Sequence, residues 1–140
     1  MLKSRIITAV LLLAGLLAAV FLLPALGWLV LCALVCAAAA WEWGGLARFA
    51  RPLRMATAVS FGSACLVLGL ITGFGASAAT GGALLVPLYI LSAVFWLLVV
   101  PVWLARKWTL SNPMLASVTG FVVLVPTALA LVHLRAISPW

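Results

Sequence analysis

Five apolar stretches follow one another along the chain, at about residues 6–23, 26–47, 56–74, 83–105 and 115–134, and only short segments separate them. A helix that crosses the hydrocarbon core, about 30 Å thick, takes about 20 apolar residues at a rise of about 1.5 Å each. Each stretch meets or approaches that length. Backbone in hydrocarbon has no water to bond, so each stretch must satisfy its own N–H and C=O groups as a helix. The pattern predicts an all-α integral membrane protein, a bundle of about five transmembrane helices in a single membrane domain over residues 1–140.

The breaks carry their own signals. Leu23-Pro24-Ala25-Leu26-Gly27 reads as a tight turn. The run before it, residues 6–23, exceeds the roughly 7–15 residues of a signal-peptide core, so an uncleaved first span is expected. The uncharged small-residue stretch at 73–82 is expected to be a loop between spans three and four. Ser111-Asn112-Pro113 reads as a turn with Pro113 as the first helical residue of span five. Pro126, inside that span, predicts a kink.

Composition agrees with immersion in lipid: 69% of residues are hydrophobic and 6% charged, against roughly 25% charged in a soluble domain. The basic residues fall on alternate connections. Lys3 and Arg5 precede the first stretch, Arg48, Arg51 and Arg54 follow the second, Arg106 and Lys107 follow the fourth, and Arg135 follows the fifth. Seven of eight therefore share one side, and the positive-inside rule predicts a cytoplasmic N-terminus. The net charge of +7 does not indicate nucleic acid, because the cations sit at span ends rather than on one exposed stripe.

Candidate chemistry is sparse. Glu42 is the single carboxylate, between Trp41 and Trp43 at the end of span two. Its expected role is an ion pair or interfacial anchor, with Arg48 or Arg5 as partner; a place in a headgroup site is the sharper alternative. The segment Arg48-Phe49-Ala50-Arg51-Pro52-Leu53-Arg54 sets topology and can also hold anionic headgroups, each cation contributing about 1 kcal/mol near an anionic surface. Ala58, Gly62, Gly69 and Gly73 form two small-xxx-small pairs on span three, the spacing of close helix packing. Cys32, Cys36 and Cys65 read as small packing residues, and His133 as a satisfied polar residue far in depth from Glu42. No metal-ligand cluster, phosphate-binding Gly-rich loop or nucleophile elbow occurs. Metal-assisted phosphoryl transfer wants carboxylates that one Glu does not supply, so no catalytic residue is expected within the chain.

Three landmarks carry a resemblance. Leu2-Lys3-Ser4-Arg5-Ile6-Ile7-Thr8-Ala9, then Ala39-Ala40-Trp41-Glu42-Trp43, then Ala130-Leu131-Val132-His133-Leu134-Arg135 with Ser138-Pro139-Trp140 resemble, in that order, the N-terminal part of bacterial phosphatidate cytidylyltransferases. The resemblance implies a bacterial inner-membrane enzyme that joins CTP and phosphatidate to give CDP-diacylglycerol and pyrophosphate with Mg²⁺. It also implies that the catalytic motif lies in a C-terminal half not among these residues, so that this chain alone is expected to be inactive. Arg5, Glu42 and Arg135 match as landmarks without assigned roles. Expected partners are membrane lipids, phosphatidate among them, and the C-terminal half or a second copy. The alternative is a small non-enzymatic membrane protein, an interaction partner or transporter subunit.

Overall fold

A computed structural model describes residues 2–73, 78–107 and 112–137, and among these no strand occurs. Helix α1 spans Leu2–Leu22, α2 Ala25–Leu46, α3 Arg51–Gly73 and α4 Ala78–Val94. A π-helical segment, Phe95–Val99, joins α4 to α5 (Val100–Arg106), and α6 spans Pro113–Ile137. The predicted break at Pro24 and the predicted helix start at Pro113 sit at these boundaries, and Ser111 lies outside the described part. Pro24, fixed in an extended conformation, separates α1 from α2. Asn112 caps α6 by accepting from the Met114 N–H at 2.9 Å, which leaves Pro113, with no N–H to satisfy, in the first turn.

The structure corrects one boundary. Residues 78–82, expected in a loop, open α4 as helix; residues 74–77 lie outside the described part. Small residues without charge do not distinguish a loop from a helix in an apolar medium, where a helix satisfies the backbone and a loop does not. Helix α6 continues through Pro126, whose ring is buried.

Helices α2, α3 and α6 form the centre of the bundle, and α4 packs against α3 and α6. Leu29, Ala40, Cys65, Val125 and Leu129 are the most enclosed core side chains. Close approach of α2 and α3 rests on small residues. A Cβ on Gly62 would stand 2.9 Å from the Ala37 Cβ and 3.2 Å from the Ala33 carbonyl oxygen, and one on Gly69 would overlap Leu29. With no hydrophobic drive between helices in lipid, such backbone proximity supplies the dispersion contact that holds them. Gly73 ends α3, and Ala58 is buried on the same helix. Thr57, Thr72, Ser117 and Thr127 each donate to a carbonyl three or four residues back, which keeps their hydroxyls satisfied in hydrocarbon.

Four helical stretches, Ala25–Leu46, Arg51–Thr72, Leu85–Arg106 and Pro113–Ala136, are long and apolar enough to cross a membrane, and a shorter apolar stretch covers Ile6–Leu22. Side chains at 6–18 of α1 are exposed, and Ala19 and Val20 in its last turns pack beside Trp28, Leu29, Cys32 and Val132. Large apolar side chains are exposed all round the bundle, far beyond what a water-soluble monomer leaves uncovered.

Candidate functional site at the basic end of the bundle

The α2–α3 connection and the start of α6 lie together. Trp43 near the end of α2 donates its indole N–H to the Ala116 carbonyl of α6 at 2.8 Å, so this tryptophan turns into the bundle instead of outward to the interface. Gly120 gives it room: a Cβ there would stand 2.6 Å from Trp43 Nε1. The chain reverses through Arg48 in the left-handed conformation at φ 57°, with the Arg48 N–H bonded to Gly45 O and the Phe49 N–H to Gly44 O. The reversal sets α3 beside α2 and lays Arg54 back across the last turn of α2.

Arg54 organises the corner. Its Nε donates to Trp41 O at 2.6 Å, its guanidinium stacks 4.3 Å from the Trp41 ring centre, and its Nη2 lies 3.5 Å from Glu42 Oε1. Among the described side chains the partner of Glu42 is thus Arg54 and not Arg48. Arg54 reaches it because Gly44 and Gly45 present no side chain there; a Cβ on either would stand about 3 Å or less from the Arg54 side chain. The sequence carried a signal for this in Trp41-Glu42-Trp43-Gly44-Gly45, whose adjacent glycines mark a surface for close approach. The Glu42 side chain is 76% exposed, so this ion pair adds little stability; the hydrogen bond and the stacking hold Arg54. Arg48 and Arg51 are exposed at the same corner. Arg5 is helical in α1, but its side chain lies outside the described part.

Other candidates lie elsewhere. His133 is at the opposite end of the bundle, its Nδ1 3.0 Å from Tyr89 Oη and its Nε2 3.4 Å from Thr72 O, which ties α3, α4 and α6 together. Also at that end, the Arg135 guanidinium donates to Leu23 O and lies 5.3 Å from the Trp28 ring centre, while the Trp28 indole N–H donates to Leu131 O at 3.2 Å. Arg135 therefore pins the α1–α2 turn to the end of α6. Cys32, Cys36 and Cys65 are buried in the α2–α3 core as free thiols.

The arrangement at the basic end suits binding an anion. It offers three arginines and a single carboxylate, that carboxylate facing a guanidinium. A hard cation such as Mg²⁺ takes oxygen ligands and in phosphoryl chemistry is held by carboxylates together with substrate phosphates. Among the described residues no group of three or more His, Cys, Asp or Glu converges, so the donor set here does not fit Mg²⁺.

Apolar helices of crossing length and a lipid-facing exterior define a multi-pass α-helical membrane protein. The chain belongs to the cytidylyltransferase family, whose model matches residues 3–138. That match agrees with the resemblance read from the residues around Arg5, Glu42 and Arg135, and makes this a membrane-bound protein of a transferase family. No solved structure matches the chain.

Proposed function

We propose that this chain is the membrane part of a phosphatidate cytidylyltransferase-like enzyme of phospholipid synthesis, in a bacterial inner membrane with its N-terminus cytoplasmic. In this reading Arg48, Arg51 and Arg54 attract the phosphate of phosphatidate to the cytoplasmic face, and α2, α3 and α6 hold those arginines in place. CTP and Mg²⁺ are handled by residues outside this chain, either a catalytic half or another copy brought beside it. The carrying observation is the basic end itself, where Arg48 and Arg51 are exposed at the α2–α3 corner and the single carboxylate is already engaged by Arg54.

Two measurements test it. The purified chain in lipid nanodiscs, given CTP, phosphatidate and Mg²⁺, is expected to form no CDP-diacylglycerol; turnover would overturn the assignment of chemistry to other residues. Phosphatidate retention, followed by native mass spectrometry, is expected to fall several-fold in the double variant Arg48→Gln with Arg51→Gln. Unchanged retention would remove the headgroup role.

A further inference from the structure

Between α2, α6 and the rod formed by α4, the π segment and α5 lies a half-open cavity of about 230 Å³. Trp43, Phe95, Trp103, Leu104, Thr119 and Val123 line it, and nearly all the surface they present is apolar. A buried water needs two to four polar partners, which this lining does not offer. The walls are also fixed. Trp43 is held by its bond to Ala116 O. The Phe95 and Trp103 rings meet edge to face at 6.4 Å, one on the π segment and one on α5. The rod is the least buried of the four long spans, and Leu104, at the cavity, is 73% exposed. The medium at that mouth, in a chain with this exterior, is hydrocarbon.

The cavity also has a charged neighbour. Helix α5 ends at Arg106, three residues beyond Trp103, and Lys107 follows it in the left-handed conformation at φ 50°. Two exposed cations thus stand within one helical turn of the cavity lining, at the basic end of the bundle. An apolar slot open to lipid, with cations one helical turn further along α5, matches the two parts of an anionic phospholipid.

We propose that this cavity seats one acyl chain of an anionic phospholipid whose phosphate is held at Arg106 and Lys107. The site lies on the α5–α6 corner and uses none of Arg48, Arg51 and Arg54, so it stands or falls apart from the catalytic reading. Its lining fixes the lipid against exchange with the surrounding annulus, because the tail leaves a walled slot and not a flat helix face.

The test is photolabelling of the full chain in phosphatidylcholine nanodiscs doped with a diazirine-tailed probe lipid, either phosphatidylglycerol or phosphatidylcholine. The phosphatidylglycerol probe is expected to label peptides covering residues 95–104 and 119–123 several-fold more than other lipid-facing peptides and several-fold more than the phosphatidylcholine probe does. Thr119→Phe with Val123→Phe, which fills the slot, should abolish the excess. Arg106→Gln with Lys107→Gln, both on the surface, should erase the difference between probes; this pair decides the matter if the filled variant does not fold. Uniform labelling, equal labelling by both probes, or exclusion of label by a second copy covering the rod would each overturn the proposal.

Discussion

Gly120 leaves a gap on α6 that the Trp43 indole fills, with its N–H on Ala116 O. Adding one methyl group there overpacks the contact, and overpacking of this kind costs about 1–3 kcal/mol. Gly120→Ala is expected to lower stability by that amount in reversible unfolding from mixed micelles, and to cost clearly less in a Trp43→Phe background, where the Nε1 atom it meets is gone. Equal costs in both backgrounds would mean that the two residues are not coupled. Arg54 and Glu42 make a second contrast. Arg54→Lys loses the Nε bond to Trp41 O and the planar stacking, an expected loss of about 1–2 kcal/mol. Glu42→Gln is expected to cost less than about 1 kcal/mol, because an ion pair with so exposed a carboxylate is weak. The reverse ranking in the same unfolding assay would make the ion pair, and not the stacked guanidinium, the anchor of the corner. The sequence exposed Glu42 as a singular residue but missed Arg54 as its partner, because the approach of α3 to the end of α2 is not visible without knowing that Arg48 turns the chain back. The inward turn of Trp43 was not legible either, because the carbonyl acceptor on α6 that draws it in is visible only in three dimensions.

Helices and most of their ends were legible, since Pro24 and the Asn112-Pro113 cap act locally and need no tertiary partner. The π segment was not. Pro101 offers no N–H to the Leu97 carbonyl and its ring crowds that carbonyl in a regular α-helix. Just before it the helix widens, with the Val100 N–H bonded to Phe95 O five residues back. Pro87 and Pro126 sit in regular α-helix, so the presence of proline alone does not announce a widened turn. Replacing Pro101 by Ala restores the donor and relieves the ring, and amide exchange across 95–101 is expected to slow in bilayers. Unchanged exchange would assign the widened turn to packing of the Phe95 and Trp103 rings instead of to the proline.

At the scale of the whole molecule, the division between lipid-facing and inward-facing sides was the least legible feature. Hydrocarbon and protein interior are both apolar, so periodicity of hydrophobic residues does not separate them as it does in water, and only the small residues of α3 marked a packed side. Charge, by contrast, was legible along the entire chain. The basic residues at or beside the ends of α1, α2, α3 and α5 fall at one end, and the contact of Arg135 with the α1–α2 turn fixes the lone remaining cation, at the end of α6, at the other. Holding seven cations on the cytoplasmic side is favoured both by the bias of insertion and by the anionic inner surface, at about 1 kcal/mol for each cation near it. A phosphatase active only outside the cytoplasm, fused after Trp140, is therefore expected to be active, and a fluorescent protein that matures only inside is expected to stay dark. Arg48→Gln with Arg51→Gln still leaves five of those cations in place and should not invert the result. If the wild-type fusion instead reports from the cytoplasm, the arginines of the α2–α3 corner face outward, away from any cytoplasmic nucleotide. The headgroup role proposed for them would then fail, while the packing of α2, α3 and α6 would stand.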